Sequence, residues 1–286
     1  MSKQSKDKVL KVLFSINENF ASIFNNSIFK GKEIINPNSL VDNNTESIFK
    51  DDGEYKNRNR DLIKSATYKS DGKMGYLLLG IENQTTLDIN MPLRIMQYDA
   101  NNYLNQTNIE NGRKNGKIKV YPVITLVIYY GKKKWTGPTD LYSRLDIDDS
   151  IKEYVSNYKI NVISPLSLSD EEIDKYTKDL KQVFKVIKYS DNKDKLDKII
   201  NEDEDFKEVS IPVVDTINVF TNASIEYKDE EGVINMCKAI EEMKQEAKNE
   251  KEYEVIKTMS NNGFDISTIA KALSLDINYV KLVLSK

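Results

Sequence analysis

Histidine is absent from this 286-residue chain, and cysteine occurs once. Without an imidazole there is no Ser-His-Asp triad, no Cys-His dyad, no H-E-x-x-H zinc helix and no HNH-type nuclease centre. The single thiol, Cys237, excludes an internal disulfide and a multi-cysteine zinc site. Its setting, NMCKAIEEM, reads as an amphipathic helix, so a buried structural thiol is expected. No G-x-x-x-x-G-K-[ST] phosphate loop occurs. No apolar run approaches the roughly 18 to 20 residues needed to span a bilayer, so no membrane segment is expected. The opening stretch MSKQSKDKVLKVLFSI lacks a clean apolar core followed by a small-residue cleavage site. It does not read as a secretory signal, and a cytoplasmic location is expected. An overall positive charge is lacking too: the formal net charge is -3, so any binding of nucleic acid has to use local basic patches.

What remains for acid-base chemistry is carboxylates, lysines, tyrosines and metal-bound water. A hydrophobic content of 39% beside 30% charged residues suits a soluble globular chain. The length allows one large domain, or a core domain with helical appendages. Along the chain, Val9, Leu10, Leu13, Ile16, Phe20 and Phe24 recur at mostly helical spacing and predict one amphipathic helix over 7–25. Asn, Lys, Pro and Gly then mark a long connector through Asp52. Next come RDLIKSATY, the turn KSDGK and MGYLLLGIENQT, an apolar hairpin. MPLRIMQYDANNYLNQ reads as a helix with Pro in its first turn. VYPVITLVIYYG is apolar enough for a strand covered on both faces. The order helix, strand, strand, helix, strand predicts a mixed α/β core with its site at one sheet edge.

Beyond Gly131 the pattern changes without a flexible linker. KWTGPTDLYSRL reads as a loop entering a short helix, NVIS as a short strand, and SDEEIDKYTKDLKQVFKVIKY as a helix whose serine and acids suit its N-terminus. Charged helices with apolar faces continue to about 249. NNGFDISTIAKALSLDINYVKLVL offers two short helices around a turn at 274–276, which suits either a helix-turn-helix unit or plain helix packing. The expected division is a core at 1–165, a helical extension packed on it at 166–248, and a small helical unit at 249–286.

The chemistry concentrates in the hairpin. Asp61 opens one strand, while Glu82 and Gln84 near the end of the next point the same way and Asn83 points opposite. Two carboxylates meeting at a sheet edge suit a hard divalent cation such as Mg²⁺ and suggest phosphodiester hydrolysis. Acidic residues at strand ends are also common surface features, so the hairpin alone leaves both readings open. Basic candidates for nucleic-acid contact are Lys56, Arg58 and Arg60, the loop lysines and arginine at 113–119, Lys132, Lys133 and Lys134. Each reads equally as a solvated charged turn. Arg94 suits either a phosphate contact or a pair with Asp88 or Asp99. Tyr98 and Tyr103 read as core residues, and Trp135 as a packing or loop-anchoring residue with stacking on a base as the alternative.

The hairpin with IENQT, the following MPLRIMQYD and PVITLVIYYGKKKWTGP are similar, in order and spacing, to the recombination-promoting nuclease family, also labelled PD-(D/E)XK nuclease family transposase. The resemblance extends from FASIFN and IFKGKEII through NMCKAIEEM. It implies a restriction-endonuclease-like core and a metal-dependent deoxyribonuclease of recombination or mobile elements. Carried onto this chain, Asp61 matches the first acidic position and Glu82 the second. Gln84 stands where the wider superfamily often has lysine. The resemblance implies that Asp61, Glu82 and the main-chain carbonyl of Asn83 hold Mg²⁺, with Mn²⁺ or Ca²⁺ as alternatives. The first helix departs from the pattern, since Ser22 stands where relatives carry an Asp; Glu18 is the substitute acid offered by the sequence. DNA is the implied partner, RNA shares the same phosphate backbone, and two-strand cleavage favours a homodimer. The competing reading is a nucleic-acid-binding or protein-interaction module that keeps the fold without cleaving.

Overall fold

The computed structural model describes residues 5–43, 46–51, 54–59, 61–70, 73–107, 120–227 and 232–285, with only the backbone at 46–51, 54–59 and 70. The first apolar stretch forms two helices rather than one: α1 (Lys6–Ser15) and α2 (Asn17–Ser27). Between them Ile16 is extended, at φ -67° and ψ 118°. Two buried side chains take up carbonyls that the break releases. Asn19 Nδ2 donates to Leu13 O at 3.1 Å, and Lys64 Nζ to Ser15 O at 2.7 Å. A helix that ends inside the fold needs such partners for its last carbonyls.

The long connector contains strands: β1 (Val41–Asp42), and an antiparallel ribbon of β2 (Glu46–Asp51) and β3 (Glu54–Asn59). The hairpin follows as β4 (Leu62–Ser70) and β5 (Lys73–Gln84). Its register runs from Ser70↔Lys73 to Leu62↔Ile81. Helix α3 (Met91–Thr107) then crosses to β6 (Val123–Tyr129), which pairs parallel to β5 from Leu78↔Val123 to Gln84↔Tyr129. The short α4 (Asp149–Lys152) precedes β7 (Asn161–Ile163), parallel to β6. The mixed sheet therefore has the order β1-β4-β5-β6-β7.

Strand alternation decides which helices cover which face. Leu77, Leu79 and Ile81 of β5, with Leu126 and Ile128 of β6, join Leu10, Leu13, Phe14, Phe20 and Phe24 in the main core. Val127, one step out of phase, packs on the other face with Met91, Ile95 and Tyr98 of α3. Strand β6 is thus covered on both faces, as its continuous apolar run requires.

The expected helix over 169–189 also divides, into α5 (Asp170–Ile173) and α6 (Lys178–Tyr189). Ser169 and Glu172 form a capping box at the first, and Thr177 N–H at the second donates to Ser22 Oγ at 3.0 Å. Then come α7 (Lys193–Glu202), β8 (Val209–Ser210), α8 (Ile211–Thr221) and β9 (Val233–Ile234), with β8 and β9 paired antiparallel. Val183 and Phe184 of α6 and Val213 and Val214 of α8 belong to the same core as the sheet. Helix α9 (Met236–Asn261) runs unbroken past position 249. With α10 (Ile266–Leu273) and α11 (Ile277–Leu284) it forms a separate small core around Ile256, Ile269, Val280 and Val283. Ser274, between α10 and α11, takes the left-handed conformation at φ 56°. Among the described residues no helix is long and apolar enough to cross a membrane.

Candidate active site at the strand ends

The antiparallel register, carried one step past Leu62↔Ile81, sets Asp61 opposite Glu82. Asp61 sits in a bend and caps the ladder instead of extending it: its Oδ2 accepts the Asn83 N–H at 2.6 Å. The Asp61 carboxylate therefore lies against the peptide joining Glu82 to Asn83. Its other neighbours come from α1, with Lys11 Nζ 3.9 Å from Oδ1 and Asp7 adding negative charge. Burial pushes the Asp61 carboxyl up to about 6; the Asn83 N–H opposes that shift, Asp7 adds to it and Lys11 works against it.

Glu82 is buried on the α3 side of β5. Its Oε1 accepts from Arg94 Nη2 in a very short contact and from Gln84 Nε2 at 3.2 Å. Arg94 also donates to Asp88 Oδ2 at 2.7 Å. Burial disfavours the guanidinium charge, yet the Asp88 hydrogen bond and the Glu82 charge more than offset it and hold the Arg94 pKa above its usual value. Of the two partners foreseen for Arg94, Asp88 is one; Asp99 instead accepts from Thr125 Oγ1 at 2.6 Å and from the Tyr158 hydroxyl.

Gln84 lies beside Glu82 as alternation requires, and Asn83 points to the opposite face. Both polar atoms of the Asn83 side chain are buried without a hydrogen-bond partner among the described residues. The Tyr130 hydroxyl is in the same position. Tyr130 follows β6, its N–H donates to Gln84 O at 2.7 Å, and burial followed by the charge on Asp61 raises its pKa. Asp7, Lys11 and Tyr130 escaped the sequence reading. The only local signal was the charged first turn of α1, which any solvated helix would carry.

Other candidates divide. Lys132 and Lys133 are exposed just past β6, at the same end of the sheet. Glu18 is exposed in the first turn of α2 and makes no hydrogen bond or ion pair among the described residues. Ser22, the position where the resemblance led to an acid being expected, holds α6 through the Thr177 N–H. Arg60 and the cations at 113–119 lie outside the described residues, as do the side chains of Lys56 and Arg58. Trp135 packs edge-on against Tyr129 at a 5.1 Å centroid separation, and Tyr98 is buried, as packing residues should be. Cys237 is half-buried and donates to Ile200 O.

The Asp61 carboxylate meets the Glu82–Asn83 peptide from the α1 side, half-buried and 3.9 Å from Lys11, whereas the Glu82 carboxylate lies on the α3 side; both offer the oxygen chemistry that suits a hard divalent ion. Against that, Glu82 is already neutralised by Arg94, and among the described residues no group of three or more Asp, Glu, His or Cys side chains is arranged to hold a metal.

A mixed five-stranded sheet with helices on both faces and acidic side chains at the ends of adjacent central strands defines the class: an α/β protein with its candidate site at a strand-end edge. Within that class the family described as "Putative transposase, YhgA-like" matches residues 4–211, and the chain belongs to it. The matched span contains the whole sheet and the site, and ends at the first residue of α8. The family is associated with mobile DNA elements by its description. No curated protein and no solved structure matches the chain.

Proposed function

We propose that this protein is a Mg²⁺-dependent DNA endonuclease acting in recombination or mobile-element biology, with its catalytic centre at Asp61, Glu82 and Gln84. The observation that carries the reading is the hydrogen bond by which the Asp61 carboxylate accepts the Asn83 N–H, which brings it against the peptide that follows Glu82. Asp61, Glu82 and the Asn83 carbonyl would hold the ion, with Mn²⁺ or Ca²⁺ as alternatives to Mg²⁺. Such an ion supplies a water of lowered pKa and neutralises charge developing on the phosphate.

The chain's own residues divide the remaining work. The raised pKa of Asp61 marks a desolvated carboxylate that gains from a cation at its Oδ1 side. Gln84 cannot carry lysine's charge, but its amide hydrogen-bonds Glu82 and is suited to orient a water or a phosphate oxygen. Arg94 fixes the Glu82 rotamer from α3 and, anchored by Asp88, keeps one buried carboxylate compensated when no ion is bound. The DNA backbone would approach over Lys132 and Lys133.

A second reading is favoured by one specific observation. The Arg94 guanidinium satisfies Glu82 without any ion, as in a non-catalytic module that keeps the fold and binds nucleic acid or protein. Plasmid nicking separates the two. Nicking in Mg²⁺ that disappears with EDTA and in both Asp61→Ala and Glu82→Ala supports the nuclease. Equal nicking by wild type and both variants marks a contaminant, and DNA binding with no nicking in any divalent metal supports the module.

A further inference from the structure

Past the end of β6, where Tyr130 approaches Asp61, lies a concave pocket lined in part by Lys6 of α1, Tyr130 and Lys132, Lys188 of α6, Asp191 and Phe220 of α8. Three cations from three separate elements reach this pocket. Lys6 and Lys132 are exposed, and the Lys6 ammonium sits 4.9 Å from the centre of the Phe220 ring, which positions it without neutralising it. Lys188 is partly neutralised, donating to Asp170 Oδ1 at 2.7 Å and to Leu168 O at 2.6 Å. Asp191 is the acid lining the pocket and is exposed to solvent.

The second observation is independent of charge. The Tyr130 side chain is 94% buried, because only 6% of it is exposed, and its hydroxyl has no hydrogen-bond partner among the described residues. A buried hydroxyl left without a partner is costly, and such groups ordinarily meet a protein group, a water or a ligand. Tyr130 is one of the residues lining the lysine pocket, and its hydroxyl lies behind the pocket wall, near enough to Asp61 for the carboxylate to disfavour its phenolate. Exposed lysines at the mouth of a pocket with an unpartnered hydroxyl in its wall suit an anion with several acceptor oxygens.

We propose that Lys6, Lys132 and the Tyr130 hydroxyl, with Lys188 behind them, form a phosphate-binding subsite that seats a backbone phosphate of the nucleic acid adjoining the Asp61–Glu82 pair. The subsite rests on the reading of the strand-end carboxylates as a nuclease centre, since it assigns the pocket to a neighbouring phosphate of the same substrate. It gives the chain, despite its formal charge of -3, a local basic contact built from parts distant in sequence.

The test measures duplex DNA binding by fluorescence anisotropy in EDTA, so that cleavage plays no part, using the full chain over a range of salt concentrations. Lys6→Ala and Lys132→Ala are each expected to lower the magnitude of the salt slope by about 1, and the double variant to bind roughly tenfold more weakly at fixed salt. Tyr130→Phe is expected to weaken binding with an unchanged slope, because it removes a hydrogen bond and no charge. Lys251→Ala, an exposed charge change on α9, is the control and should match wild type. Inorganic phosphate should compete with DNA for wild type but not for the double variant.

A double variant with wild-type affinity and slope overturns the subsite, as does a wild-type chain that binds neither duplex nor phosphate. Competition by phosphate without any duplex binding assigns the pocket to a free anion and overturns the backbone assignment. The catalytic reading fails separately: if Asp61→Ala still nicks DNA while the lysine variants lose affinity, the subsite stands and the carboxylate centre falls.

Discussion

Two acidic clusters in this chain use the same residue types to opposite electrostatic ends. In the helical part, Lys181 and Lys185 of α6 face Asp203, Asp205 and Asp174, with Lys181 Nζ 2.6 Å from Asp205 and Lys185 Nζ 2.6 Å from Asp174. Burial acts to raise the Asp203 pKa, but hydrogen bonds from Lys181, Lys185 and the Asp205 N–H outweigh it and the carboxyl ends below its ordinary value. At the strand ends, Asp61 has one N–H, a lysine at 3.9 Å and a second carboxylate nearby, and its pKa rises to about 6. The first cluster is satisfied by its own side chains and ties α6 to the segment before β8. Among the described residues the second is short of positive charge at Asp61, which is the feature that distinguishes it from the ion network of α6.

The largest effect that would sharpen this contrast is catalytic. Glu82→Ala or Asp61→Ala should lower plasmid nicking by roughly a hundredfold or more, as removal of a metal ligand does, with the fold intact by circular dichroism. Asp203→Ala should leave nicking in place. Stability is affected instead: Asp203→Ala, by removing one of the two carboxylates that hold Lys185 and one of those that hold Lys181, should cost about 0.5–1.5 kcal/mol in urea unfolding at neutral pH. A variant at 203 as stable as wild type would break the comparison from the structural side.

Metal addition should act on one cluster alone. Mg²⁺ at about 100 times its dissociation constant should stabilise wild type by about 2.7 kcal/mol and leave Asp61→Ala unmoved, read as a shift in Tm. The pH sign follows from the raised carboxyl. Without metal, the contribution of Asp61 is present below its unfolded value of 3.8 and is lost as pH rises through about 6. A cation competes with that proton, so the Mg²⁺-induced shift should shrink as pH falls below about 6. A shift that is constant from pH 5 to 8 would place the ion elsewhere.

The smallest effect concerns Asp170, whose carboxyl is lowered to about 2 by hydrogen bonds from Lys188 and Tyr189. A depressed carboxyl contributes stability above its unfolded value of 3.8, and that stability is lost as pH falls toward about 2. Asp170→Asn should flatten that acid limb of the unfolding curve and change little at pH 7. The side chain is 40% exposed, so the effect is damped by solvent.

Much of the fold was legible because alternation and helical period report faces. Glu82 and Gln84 share a face, α3 starts at Met91, and β6 is buried on both sides, each as its local pattern requires. The break at Ile16 was not legible, because apolar spacing continues through it. What ends α1 is Lys64, from a strand 49 positions on, taking the Ser15 carbonyl. The ribbon at 46–59 was hidden in a polar stretch that carries turn residues and no apolar alternation. The break between α5 and α6 has the same kind of cause, since its Thr177 N–H is met by Ser22 from α2.

By itself the sequence determined which chemistry is open to this protein and where its acids can stand. With no histidine and one cysteine, acid-base chemistry is left to carboxylates, lysines, tyrosines and metal-bound water, and a period of two sets Glu82 and Gln84 side by side at a strand end. Tertiary structure alone decided how those acids are charged. Arg94 reaches Glu82 rather than standing free, Asp7 and Lys11 close over Asp61, and Tyr130 comes up beneath it. The physical reason is one of range: backbone geometry reads out over a few residues, whereas burial and Coulomb interaction depend on which distant elements pack together.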